Sequence, residues 1–307
     1  MRTLAGMMIV AVVLLFQGCT TVKGLTGATA EEALYASAVD DEALKEKLTI
    51  EAKKRLEAKT LTSGDTLRSQ LKRRTTQVAF TAPRRRPLPV DQQYHYGRSS
   101  VVIISSFYLC GKCSNLHMST AAGFAVAEDG VFLTNYHVVG NMTNSLAMAA
   151  ITAEGDFGDV TEILACNPVE DWALIRIPEL KLKPLPLLGN ASVGTEIFLV
   201  SHPNEHFFSY GKGHVARYGK GKTVFEQGAD KVRKVLGQTE WMEITAEFGK
   251  GASGGPVMDA NGNVVGLISR VEVRKSTQNT SEQAIGNVVF KQCTPISLVI
   301  EGGTATP

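Results

Sequence analysis

The apolar positions fall into three textures along the chain. The first is an unbroken run, Leu4 to Phe16, preceded by Arg2 and followed by Gln17-Gly18-Cys19. The second covers Thr29 to about Lys59, where Ala, Glu, Leu and Lys dominate without a proline or a glycine. There Leu44, Leu48, Ala52 and Leu56 recur every four residues, which predicts an amphipathic helix. Thr62-Ser63-Gly64-Asp65 breaks that pattern, and a second helix is expected over Thr66 to Val78. The third texture begins after Tyr94. Short β-branched and apolar runs, among them Val101-Val102-Ile103-Ile104, Gly123-Phe124-Ala125-Val126, Ile197-Phe198-Leu199-Val200 and Val264-Val265-Gly266-Leu267-Ile268, alternate with Gly, Asn and Pro. Strands at that spacing, with few long helical patterns between them, predict an antiparallel barrel or sandwich.

The leading run is too short for a membrane span, which needs about 20 residues. It has the form of a secretory signal, Arg2 holding its start on the cytoplasmic side. The segment after it resembles the bacterial lipobox. That resemblance implies a signal peptide over residues 1–18 and an acylated Cys19 as mature N-terminus, although Phe16 and Gln17 depart from the usual residues. Ordinary secretion with cleavage near Ala28-Thr29-Ala30 is the alternative. The expected setting is the bacterial cell envelope, facing the periplasm or the exterior. Residues 19–93 then read as a helical and basic linker region. Seven basic residues and no acidic one lie between 66 and 90, with Pro83, Pro87 and Pro89 around Arg84-Arg85-Arg86. The run reads as an extended solvated tether, or as a patch attracted to anionic headgroups beside the anchor.

Composition narrows the class. Of 307 residues, 44 % are apolar and 20 % charged, a globular balance that excludes wholesale disorder. Thirty-two Lys and Arg against 30 Asp and Glu give no global drive toward nucleic acid. Besides Cys19 the chain holds Cys110, Cys113, Cys166 and Cys293. An even number in an oxidising compartment suggests disulfides, with Cys110–Cys113 and Cys166–Cys293 as one pairing of three. Cys110-x-x-Cys113 with His117 four residues on also assembles three zinc-capable ligands. Without a second compact ligand pair, and with oxidation competing, a disulfide or a reduced buried pair is preferred to zinc.

Three segments carry chemistry. Leu133-Thr134-Asn135-Tyr136-His137 delivers a histidine at a strand end, and Glu170-Asp171-Trp172-Ala173-Leu174 sets a carboxylate before a buried strand. Gly249-Lys250-Gly251-Ala252-Ser253-Gly254-Gly255-Pro256 embeds a serine among glycines. A serine hydroxyl needs a base to act as a nucleophile, an imidazole titrates near working pH, and a carboxylate behind it fixes the tautomer. The glycines allow backbone N–H groups, here those of Gly251 and Ser253, to converge on an oxyanion.

The order His137, Asp171, Ser253 with G-x-S-G-G-P resembles the chymotrypsin-like (trypsin-fold) serine peptidases. Asp171 follows His137 by 34 positions and Ser253 follows Asp171 by 82, spacings nearer the bacterial HtrA/Deg branch than digestive trypsins. The likeness spans residues 95–300, and no PDZ domain is expected after it. It implies an all-β fold of two six-stranded antiparallel barrels over residues 94–307, with an N-terminal helical extension. It also implies an endopeptidase that works through an acyl-enzyme on polypeptide substrates, without a cofactor or metal. In that family the residue six before the nucleophile helps form the primary pocket, here Glu247, and Ser269 stands where substrate backbone pairs as a strand. A buried Glu247 carboxylate would favour Lys or Arg, whereas a solvated one would not. The competing reading is a peptide-binding or scaffolding module on the same fold that does not turn over. His95, His117, His202, His206 and His214 are expected to be surface or structural residues.

Overall fold

The computed structural model describes residues 38–141, 144–227, 232–274 and 288–304. The lipidation site expected at Cys19 and the start of the first expected helix lie outside the described residues.

Helix α1 (Asp41–Glu57) is capped by Asp40, whose side chain accepts the Ala43 N–H at 2.9 Å. Its four-residue stripe works as the sequence predicts, since Leu44, Leu48 and Ala52 are buried. They join an apolar cluster with Val101, Ile103 and Phe124 of the β-structure. Helix α2 (Gly64–Gln70) is shorter than expected. It starts on a Ser63 cap and stops at Leu71, where the chain turns extended and the Arg73 carbonyl accepts the Cys166 N–H at 3.0 Å. β-Branched Thr75, Thr76 and Val78 suit that extended path. α2 sits directly on the sheet, because a Cβ on Gly64 would come 2.0 Å from the Ser145 carbonyl oxygen. Gly64→Ala should therefore lower the unfolding free energy by about 1–3 kcal/mol through overpacking, seen as a lower urea midpoint.

The proline-rich linker is not a free tether. Its Arg84 N–H donates to Asn263 Oδ1 at 2.6 Å, Arg84 Nε donates to the Asn261 carbonyl at 2.8 Å, and Leu88 is buried. Only Arg85 and Arg86 of that cluster stay exposed. Helix α3 (Val90–Arg98) then leads into the strands.

The first antiparallel sheet holds β1 (Val101–Leu109), β2 (Leu116–Ala127), β3 (Val131–Thr134), β4 (Ser145–Ile151), β5 (Phe157–Asp159), β6 (Glu162–Asn167) and β7 (Trp172–Arg176). The order is β5-β4-β1-β2-β3-β7-β6, seven strands where six are expected. The extra strand comes from a corner. Val160 N–H donates to Met148 of β4 and Thr161 N–H to Arg176 of β7, so β5 and β6 are one bent path between the sheet's two edges.

The second sheet closes into the expected six-stranded barrel. Its strands are β8 (Glu196–Ser201), β9 (Ser209–Gln227), β10 (Val232–Ile244), β11 (Pro256–Asp259), β12 (Val264–Arg274) and β13 (Val288–Pro295), in the order β10-β13-β12-β11-β8-β9. Helix α4 (Tyr136–Gly140) follows β3, and helix α5 (Ile296–Thr304) follows β13.

Burial explains why runs such as Val101-Val102-Ile103-Ile104 do not alternate with polar residues. Val102 and Ile104 face the interior cluster of the first sheet, with Ala125, Phe132 and Ile175. Val101 and Ile103 face a separate cluster shared with Phe198, Val200 and Leu267 of the second barrel. Both faces are dry, so both are apolar. Cys166 belongs to the first interior and Cys293 to the second, and all four described cysteines are free thiols. The Cys166–Cys293 pairing is thus not formed, since the two thiols occupy different cores. Burial pushes Cys166 up to about 11 and Cys293 higher still, so both stay protonated and inert. Cys110 and Cys113 are exposed, not a buried pair.

Candidate active site

Local chemistry sets each site residue before the barrels bring them together. Thr134, the last residue of β3, donates its hydroxyl to the Ala122 carbonyl at 2.7 Å, and Asn135 opens α4. His137 therefore sits in the first turn after the strand. Between β6 and β7, Asn167 Oδ1 accepts the N–H of Val169 at 2.9 Å and of Glu170 at 3.2 Å, an Asx turn. That turn delivers Asp171 at φ 58°, the left-handed region that costs a non-glycine residue free energy. Asn135 Nδ2 holds it there by donating to the Asp171 carbonyl at 2.8 Å.

The Asp171 carboxylate is buried and accepts from three groups. The His137 backbone N–H donates to Oδ1 at 3.0 Å, His137 Nδ1 lies 2.9 Å from Oδ2, and the Ser269 hydroxyl donates to Oδ2 at 2.5 Å. A carboxylate only accepts, so Nδ1 carries the proton and Nε2 is left as the basic nitrogen. Burial pushes the His137 pKa down, but the Asp171 charge and hydrogen bond outweigh it and leave it raised. The side chain is 38 % exposed, open to a substrate.

The serine loop precedes β11. Gly251 has φ +90°, and a Cβ there would lie 2.5 Å from the His202 carbonyl oxygen. Gly254 has φ +85°, with a Cβ only 2.0 Å from the Ala122 carbonyl oxygen. Side chains are excluded at both positions. The Lys250 carbonyl accepts the Asn204 N–H at 2.6 Å, which fixes the peptide before Gly251. Among the described residues, neither the Gly251 nor the Ser253 amide has a backbone or side-chain acceptor. Asn204 rests on a loop held by His202, whose Nδ1 accepts the Phe208 N–H and whose Nε2–H donates to the Val102 carbonyl, each at 3.0 Å. Burial lowers His202 to about 4, so it is neutral and structural, as expected from the sequence. Helix α1 braces the same loop: Asp41 Oδ1 accepts the Phe207 N–H at 2.9 Å, and Lys45 pairs with Glu205 at 3.0 Å.

Ser253 Oγ donates to the Ser269 carbonyl at 3.0 Å, and no hydrogen bond joins it to His137. Ser269 thus touches two of the three candidate groups, its hydroxyl on Asp171 and its carbonyl on Ser253. Sequence reasoning assigned it only to substrate backbone. It missed Asn204 altogether, because a His-Pro-Asn-Glu loop carries no signal of what its amide will hold.

Two cavities flank this arrangement. One of about 290 Å³ is lined by His137, Thr223, Phe225, Trp241, Ser269 and Arg270. Its outer wall is the β9–β10 hairpin, where Phe225 meets Tyr136 at 5.6 Å between ring centroids. The other, of about 360 Å³, lies between Tyr108, Met118 and Ser119 on one side and Asn204, Lys250 and Gly251 on the other. Glu247 lines neither. Its side chain is 87 % exposed and pairs with Lys291 at 2.9 Å. Of the two readings of Glu247, the geometry thus fits the solvated one, which the sequence favours. Glu247→Gln should change the Arg-over-Val preference at the cleaved bond by less than about fivefold in kcat/KM, since an exposed pair is worth about 1 kcal/mol or less.

Two antiparallel β-units, with an imidazole and carboxylate from one joined through Ser269 to a glycine-bound serine from the other, are an arrangement like that of the chymotrypsin-like serine peptidases. In agreement, residues 121–267 match the family described as trypsin-like peptidase domain.

Among curated proteins, the chain is 32 % identical over 151 residues to the anti-sigma-I factor RsgI9 of Acetivibrio thermocellus, covering 49 % of this chain and 19 % of that protein. It is 27 % identical over 172 residues to serine protease Rv3671c of Mycobacterium tuberculosis, covering 55 % of this chain and 39 % of that one. The chain thus spans well under half of either relative. The active form of the M. tuberculosis Rv3671c protease is a similar solved structure, with 21 % identity, TM-score 0.49, and 76 % of this chain and 93 % of that one covered. Among the described residues no helix is long and apolar enough to cross a membrane.

Proposed function

We propose that this chain is an exported serine endopeptidase that hydrolyses peptide bonds through an acyl-enzyme. The observation that carries the reading is the Asp171 carboxylate, which fixes His137 with Nε2 free while the Gly251 and Ser253 amides stand without acceptors. In this reading His137 removes the Ser253 proton as Oγ attacks the scissile carbonyl. The two amides stabilise the oxyanion, and the imidazolium then protonates the leaving amine. Water repeats the sequence on the acyl-enzyme. A serine side chain has one torsion with three staggered wells, and in this reading Oγ leaves the Ser269 carbonyl to bond Nε2. A substrate strand paired to that carbonyl would displace it. Export and an acylated Cys19 rest on the leading apolar run and the residues after it.

The bond from Ser253 to Ser269 is the one feature that favours the second reading, a peptide-binding module that does not turn over. A fluorophosphonate probe separates the two, because it reacts only with an activated serine. Adduct at Ser253 supports the peptidase. A folded, unlabelled protein that still binds peptide supports the module.

A further inference from the structure

The β1–β2 hairpin carries a group that the peptidase reading leaves unused. β1 ends at Leu109, and the turn Cys110-Gly111-Lys112-Cys113 leads to His117 on β2. Gly111, at φ +71° with open space around it, lets the turn close so that both thiols point the same way. Cys110 Sγ and Cys113 Sγ lie 3.4 Å apart, and Cys113 Sγ lies 3.1 Å from His117 Nε2. All three donor atoms fall within 4.8 Å of one another. The Lys112 N–H points at Cys110 Sγ from 3.4 Å, the kind of donor that steadies a thiolate. His117 is oriented from the neighbouring strand, stacked on Tyr108 with centroids 5.6 Å apart and directly opposite it in register.

From this geometry we infer that Cys110, Cys113 and His117 form a zinc site with one open coordination position. A tetrahedral zinc ion with bonds of about 2.3 Å to sulfur and about 2.0–2.1 Å to nitrogen sets its ligands about 3.5–3.8 Å apart. The two observed separations, 3.4 and 3.1 Å, are each within about half an ångström of that, so side-chain rotations that spread the ligands admit the ion. Two thiolates and an imidazole match the soft and borderline donors that zinc takes, not the oxygen sets of calcium or magnesium. Among the described residues no fourth Cys, His, Asp or Glu joins the group. Both cysteines are exposed, so the fourth position faces outward. Three protein ligands and an open position make an exchangeable site, unlike the closed four-ligand sites that hold folds together. The site also bears on the cleft. Tyr108 and Met118, on the two strands it would clamp, line the cavity beside Gly251.

The test is independent of peptidase activity. Untagged full-length chain, kept reduced, is titrated with Zn²⁺ and separately with Co²⁺ as a spectroscopic stand-in. The expected result is one equivalent bound, with sulfur-to-cobalt charge-transfer absorption in the near ultraviolet. Cys113→Ser should weaken binding by more than the about 10–100-fold that loss of an outer-shell partner costs, and His117→Gln should weaken it while retaining the sulfur band. Because the site is at an exposed turn, both variants should keep the wild-type circular dichroism. Uptake equal in wild type and in a Cys110→Ser/Cys113→Ser double variant would overturn the proposal. So would closure of a Cys110–Cys113 disulfide in air, seen as a 2 Da mass loss by the ~1 Da hydrogen count of each thiol, while Zn²⁺ is present in excess.

Discussion

Ser253→Ala is expected to lower kcat/KM for a denatured protein substrate by about a million-fold while leaving a folded protein. That factor corresponds to about 8 kcal/mol of transition-state stabilisation, the share that the proposed acyl-enzyme step assigns to Ser253. The fold should survive because the serine side chain makes one hydrogen bond, to the Ser269 carbonyl, whereas its backbone carbonyl keeps the Ala122 N–H at 2.7 Å. Losing a single such side-chain bond costs about 0.5–1.5 kcal/mol. Matched thermal melts and initial rates provide the check. Turnover within tenfold of wild type would remove Ser253 from the chemistry.

The second large effect is expected at Asp171. Asp171→Asn should lower kcat by about 10⁴ near neutral pH. An amide cannot replace both oxygens, because its NH2 group is a donor: at Oδ1 it would face the His137 N–H, and at Oδ2 it would face His137 Nδ1 and the Ser269 hydroxyl. The imidazole then loses the tautomer that frees Nε2. The pH profile carries the sign. Asp171 raises the His137 pKa, and a protonated imidazole cannot act as base, so wild-type kcat/KM should fall as pH drops through that raised value. Without the Asp171 charge the pKa falls, and the residual activity should persist to lower pH than in wild type. An acid limb that stays in place would mean another group sets it.

Much of this was legible residue by residue. The helical stripe of α1 and the apolar runs of the strands follow from periodicity, which reports the faces each segment must bury. His137, Asp171 and Ser253 stand out as candidates because a strand-end histidine, a carboxylate before an apolar strand and a glycine-bound serine occur in one order. Other features were not readable, for particular reasons. α2 stops at Leu71 because the next residues pair with Cys166, more than 90 positions away. The Arg84–Arg86 segment looks like a free tether until Asn263 takes its backbone. Glu247 offered both a pocket and a solvated reading, and its pairing with Lys291, 44 positions later, is a contact no local pattern announces.

By itself the sequence determined which residue types exist for acyl transfer, where backbone must be free of side chains at Gly251 and Gly254, and which segments bury two faces. Those are local matters of donor chemistry, sterics and period. Tertiary structure alone decided that Ser269 joins Asp171 to Ser253, that Asn204 holds the Lys250 carbonyl, and that Cys166 and Cys293 stay apart in separate cores. Each depends on contacts between segments whose separation along the chain carries no signal, and hydrogen bonds and packing act on distance in space.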